Sequence, residues 1–106
     1  MARYLFQVNY VGEGVKGLFK DGGTKRRAVI DNLFRSMGGT IESLYYAFGD
    51  TDLFVIGDFP DHATVVATVL SVTSTGAATV KTTVLLTPEE IDEASKKSPT
   101  YSLPGR

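Results

Sequence analysis

Hydrophobic and polar positions alternate from Arg3 to Tyr10, with Tyr4, Phe6, Val8 and Tyr10 set against Leu5, Gln7 and Asn9. A period of two in aromatic and β-branched residues predicts a half-buried strand. Gly12, Gly14, Gly17 and Gly22 then punctuate the chain. Val15, Leu18 and Phe19 lie between them at helical spacing, which predicts a short helix or an ordered loop. From about Thr24 the period changes, and Val29, Ile30, Leu33, Phe34 and Met37 lay one apolar stripe along a helix that Gly38-Gly39 stops. Residues 40–48 and 52–59 are rich in aromatic and branched side chains and flank Gly49-Asp50-Thr51, the composition of a tight hairpin. In residues 61–74 valine and threonine favour a strand locally, yet the apolar positions do not alternate. Val65, Val69 and Val72 share one helical face, with Val66 and Leu70 beside them, and Asp61 is a competent N-cap, so a helix is predicted there. Residues 78–86 alternate again as a fourth strand. Thr87-Pro88-Glu89-Glu90 combines a capping threonine, a first-turn proline and a glutamate three residues after the cap, and so opens a last helix. Lys96 and Lys97 close that helix with the sign its dipole favours, and 98–106 is a tail with two prolines and a glycine.

Strand, helix, strand, strand, helix, strand is the order of the ferredoxin-like βαββαβ unit, an α+β fold with both helices on one face of a four-stranded antiparallel sheet. One such domain with an added C-terminal helix is expected over residues 1–106, a length too short for two ordinary domains. The helix-free face raises a second expectation. On the central hairpin Leu44, Tyr46 and Phe48 oppose Ile41, Tyr45 and Ala47, and Phe54 and Ile56 oppose Leu53 and Val55, so both sides are apolar. Four strands about 4.8 Å apart give a footprint of roughly 350 Å², a size at which monomers seldom leave an apolar patch bare. A homo-oligomer that pairs open face to open face is therefore expected.

Charge and composition remove several alternatives. Eleven basic and twelve acidic side chains leave a formal charge of −1, which provides no field for collecting nucleic-acid phosphates. The absence of cysteine excludes disulfides, thiolate metal sites and a cysteine nucleophile. The first residues turn polar at Gln7 and Asn9, and no window approaches the ~20 apolar residues of a membrane span. No nucleic-acid partner, no membrane and a cytoplasmic location are the default expectations.

Four segments together carry a resemblance: Tyr4-Leu5-Phe6-Gln7-Val8, Gly22-Gly23-Thr24-Lys25-Arg26-Arg27, Ala47-Phe48-Gly49-Asp50-Thr51-Asp52, and Val80-Lys81-Thr82-Thr83 through Leu86-Thr87-Pro88-Glu89-Glu90. From Arg3 to about Tyr101 the chain resembles the GYD domain family of small bacterial proteins of uncharacterised function, themselves similar to the dimeric α/β barrels. The resemblance implies a fold and self-association, and supplies no reaction. Thr51 stands where the family's name-giving motif has tyrosine, with Gly49 and Asp52 retained.

Each chemistry-bearing residue has a bland reading beside it. His62, the only histidine, lies at a predicted helix start where a general base could sit, but no serine-acid pair is spaced to join it, and lone loop histidines are usually solvated. Asp50, Asp52 and Asp58 offer hard oxygen ligands without the remainder of a calcium loop, so no metal is expected, and turn aspartates explain them as well. Thr24, Lys25 and Arg26 follow a glycine pair at a helix entry and form a candidate anion site, or simply a solvated basic turn. Gln7, Asn9, Asp58 and Lys81 alternate with apolar neighbours and face either a cavity or water.

The leading reading is a homo-oligomeric module for a small organic ligand held between sheet and helices. Tyr4, Phe6, Tyr45 and Tyr46 would recognise that ligand, and Asn9 and Lys81 would orient it. Fold analogy offers the alternative of a cofactor-free enzyme of the dimeric α/β-barrel sort, a monooxygenase or isomerase with His62 or Asp52 as base; a purely structural association subunit is the third. No cofactor is expected under any of them.

Overall fold

A computed structural model describes residues 1–105 of the chain. Its elements are β1 (Ala2–Tyr10), α1 (Glu13–Asp21), α2 (Gly23–Ser36), β2 (Thr40–Tyr46), β3 (Leu53–Phe59), α3 (His62–Thr73), β4 (Ala78–Leu85) and α4 (Pro88–Ser95). The four strands form one antiparallel sheet in the order β2-β3-β1-β4, the ferredoxin-like arrangement, with the predicted C-terminal helix appended. No helix among the described residues is long and apolar enough to cross a membrane.

Register decides which side of the sheet each residue serves. Tyr4 lies opposite Gly57 and Val84, and Val8 opposite Leu53 and Val80. The even positions of β1 and the odd positions of β3 therefore turn toward the helices, where Tyr4, Phe6, Leu53, Val55 and Phe59 are buried. Phe34 descends from α2 onto this surface. Its ring centroid lies 4.8 Å from that of Phe59 and 5.3 Å from that of Phe6, and the Phe6 pair meets edge to face. Gly57 makes the descent possible, because a Cβ there would come within 2.8 Å of Phe34 Cε2 and 2.9 Å of the Thr40 carbonyl oxygen.

The helix at 62–73 forms despite its strand-favouring composition. Asp61 caps it by accepting from the Thr64 amide and hydroxyl, each at 2.7 Å. The hydroxyls of Thr68, Ser71 and Thr73 donate back to carbonyls three or four residues earlier, so the polar groups are satisfied locally and the helix presents methyl groups to the sheet. Buried Thr68 thus takes a core position beside Val65.

Two expectations change at the hairpin. The strands end at Tyr46 and resume at Leu53, leaving Phe48 exposed in a longer loop that Ala47 closes by donating to the Asp52 carbonyl at 2.8 Å. A register shift between Ile41 and Ser43 also places Ile41 and Leu44, an odd and an even position, on the same helix-facing side. Alternation alone would have sent them to opposite faces.

At the C-terminus Thr87 and Glu90 make both bonds of a capping box, at 3.1 and 3.0 Å. Every described residue from Leu86 onward is nevertheless exposed. The chain measures 58 × 32 × 24 Å with a radius of gyration of 17.2 Å, against about 13 Å for a compact domain of this length. Residues 86–105 thus project as an arm.

Candidate functional site

Helix α2 leans on β2, and α3 leans on β3 and β4. Over the middle of the sheet the two helices leave a cleft of about 420 Å³, open to solvent and within the size range of small-molecule sites. Its floor is Phe6, Val8 and Leu53; Ile30 and Leu33 of α2 face Val69 and Val72 of α3 across it, and Gly14 and Leu18 of α1 close one end. Gly14 permits that approach, since a Cβ there would overlap the Ala77 carbonyl oxygen. The hydroxyls of Thr68 and Ser71 line the cleft but are spent on backbone carbonyls, so the lining is overwhelmingly apolar.

The Thr75 hydroxyl is likewise spent on the backbone of Val72 and Ala77, which leaves Tyr10, Glu13 and Arg26 near α1 as the remaining polar side chains of the lining. Glu13 accepts from Lys16 at 3.2 Å. Among the described residues Asp21 is the one carboxylate paired with the Arg26 guanidinium, at 4.0 Å, and Asp21 is shared with Lys25 at 3.5 Å. Burial raises the Tyr10 hydroxyl above its ordinary value of 10.0, an effect that Arg26 opposes and Asp52 reinforces. Tyr46, at the edge of this cluster, donates to the Gly23 carbonyl at 3.0 Å, and burial followed by the neighbouring Tyr10 raises it as well.

The residues predicted to bind a ligand do not share one site. Phe6 lines the cleft, and Tyr4 lies in the aromatic core at 1% exposure, its hydroxyl 2.6 Å from His62 Nδ1. Tyr46 reaches the polar cluster from the sheet edge. Asn9, Tyr45 and Lys81 pair with Thr79, Phe54 and Gln7, which places all three on the opposite, helix-free face. The cause is the two-residue period: the odd positions of β1 and β4 point away from the helices. Asn9 is further occupied by accepting from the Asp52 amide at 3.0 Å.

Neither candidate base lines the cleft. His62 is exposed beside Tyr4, beyond the aromatic core. Asp52 Oδ2 accepts from the Tyr10 amide at 2.9 Å, and its own amide donates to Val8 O and Asn9, a clasp that pins the hairpin loop to the end of β1. Of the anion trio, Thr24 and Lys25 are exposed and Arg26 alone enters the cleft. No group of three His, Asp or Glu side chains among the described residues is arranged to hold a metal ion.

Sequence reasoning missed Tyr10 as a site residue and read Ile30, Leu33, Val69 and Val72 purely as core. A signal was present: Arg26, Ile30, Leu33, Phe34 and Met37 stand at i, i+4, i+7, i+8 and i+11, so the cation shares the apolar stripe of α2.

A ferredoxin-like sheet with a ligand-sized cleft between its helices defines the class of this protein. The chain belongs to the GYD domain family, whose match covers residues 4–95. No curated protein and no solved structure matches it.

Proposed function

We propose that the protein is a homo-oligomeric module that holds a small, predominantly apolar organic molecule between α2 and α3. The cleft is the observation that carries this reading. An enclosed void of 420 Å³ would cost an amount comparable to a whole domain's stability, so the space stands open and hydrated, and an apolar molecule that displaces this water gains the burial free energy. Neither candidate base lines the cleft, and the Asp52 carboxylate is spent on the Tyr10 amide, which favours binding over the enzymatic alternative.

Self-association is supported by the other face of the sheet. Leu5, Phe54, Ile56 and Tyr45 lie there, the last 73% exposed, with Lys81 and an Arg3–Glu42 ion pair of 2.7 Å around them. Pairing two such faces completes a barrel of the dimeric α/β type. The arm adds exposed Leu86, Ile91, Tyr101 and Leu103 to the surface a second copy can cover. The sheet footprint alone falls short of the ~800 Å² per partner of a stable interface, so the arm would have to supply the remainder.

A thermal-shift screen against chemically diverse apolar compounds tests the binding role. A ligand at a hundred times its Kd should stabilise by about 2.7 kcal/mol, and Val69→Trp, which fills the cleft, should abolish the shift. Diverse pools without a single hit would instead favour a purely structural subunit. Light scattering should give at least twice the 11.4 kDa chain mass, reduced by Ile56→Lys; the monomer mass alone at micromolar concentration contradicts the oligomer.

A further inference from the structure

The polar cluster at one end of the cleft specifies a ligand class, an inference that rests on the binding role above. Apart from Arg26, Tyr10 and a Glu13 already engaged by Lys16, the cleft offers an approaching molecule almost only hydrocarbon. The Arg26 side chain is 31% exposed, so it touches both solvent and cleft, and the one carboxylate paired with it among the described residues stands at 4.0 Å, beyond a direct hydrogen bond. A guanidinium carries five donors in a planar fork suited to a carboxylate, and the half-buried Tyr10 hydroxyl adds one more donor beside it. Charge count narrows the choice further: Lys25 is drawn to Asp21, and Arg27 is exposed and does not line the cleft. With the Glu13 carboxylate paired to Lys16, Arg26 is the one cation of the lining left to meet a ligand, and it matches a single negative charge.

We propose that the ligand is a monocarboxylic acid with an apolar body, its carboxylate held by Arg26 and Tyr10 and its hydrocarbon lying between Ile30 and Leu33 on one side and Val69 and Val72 on the other. The geometry sets an order of preference. Acid binds better than the alcohol of equal chain length, because the alcohol leaves the guanidinium without an anion. Short acids such as acetate bind poorly, because they leave the hydrocarbon walls hydrated.

Titration calorimetry with octanoate and 1-octanol on the full chain separates this inference from the one beneath it. Octanoate should bind the wild-type protein about tenfold or more tightly than 1-octanol. Arg26→Gln should bring the two within about twofold, Tyr10→Phe should remove part of the preference, and Arg27→Gln, outside the cleft, should preserve it. Equal affinities in the wild type, or a preference that survives Arg26→Gln, would overturn the carboxylate assignment while leaving the cleft as an apolar site. Failure of both probes to bind would overturn the binding role itself, and the assignment with it. Circular dichroism and the denaturation midpoint establish that each variant is folded, and Arg26→Lys serves as a second variant that keeps the charge but loses the fork: partial retention of the preference is expected, and full retention would contradict the bidentate contact.

Discussion

The helix side of the sheet has two ends built on the same strands, and only one of them is filled. Where β1 begins and β3 ends, Tyr4, Phe6, Phe34 and Phe59 interlock with ring centroids 4.8 to 6.2 Å apart, and Gly57 yields the space that Phe34 occupies. Toward Val8, Tyr10 and Leu53 the helices bring aliphatic side chains that face one another across the cleft. The sequence is capable of dense packing, as its aromatic end demonstrates, so the hollow beside it is a feature of the design of the chain and not a general looseness. Local rules reinforce the contrast: α3 turns its hydroxyls onto its own backbone and thereby keeps the cleft lining apolar.

Substitutions at the two ends should differ in size and, for enlargements, in sign. Phe59→Ala removes a fully buried ring from the aromatic cluster and should cost about 3–5 kcal/mol in urea denaturation, whereas Val72→Ala at the cleft should cost about 1 kcal/mol. Equal losses would erase the distinction. Adding a methyl by Gly57→Ala drives Cβ into Phe34 and the Thr40 carbonyl and should destabilise by about 1–3 kcal/mol. Enlarging Val72 to Phe should instead be neutral or stabilise by up to about 1 kcal/mol, because the added ring displaces water from the open cleft.

Titratable groups at the two ends give smaller effects. Burial raises Tyr10, so the folded chain retains its proton to higher pH than the unfolded chain does. The resulting stability is fully present below pH 10.0 and is lost as pH rises through the folded value. Tyr10→Phe should therefore flatten part of the alkaline fall in denaturation midpoint; an unchanged profile would remove Tyr10 from the cleft's buried lining. The cap of α3 has the opposite sign. Bonds from the Thr64 hydroxyl and amide hold Asp61 below its ordinary 3.8, so its contribution is present above that value and lost as pH falls through the folded one. Asp61→Asn should lower the melting temperature slightly at neutral pH, and the gap from wild type should close in acid.

Much of this arrangement was legible in the sequence, for reasons that differ by element. Strand β1 and helix α2 follow from clean periods, α4 from its cap chemistry, and α3 from the failure of its valines to alternate together with Asp61. The side assignments of Asn9, Tyr45 and Lys81 were not legible, because alternation separates two faces without saying which one meets the helices. The bulge at Ile41 and Ser43 has no marker in local composition, and it alone reconciles Ile41 with Leu44 on one side. The cleft was expected between sheet and helices, but its walls read as ordinary core, since an apolar stripe looks the same whether the facing helix touches it or stands off.

Titrating methyl-labelled protein with a small apolar probe and following it by NMR shows whether the hollow end takes up a ligand. Saturable shifts confined to the methyls that line the cleft, such as Val8, Ile30, Leu33, Val69 and Val72, with those of Leu5 and Ile56 on the other face unmoved, are what the hollow end predicts. Absence of saturation, or shifts confined to the open face of the sheet, would contradict it.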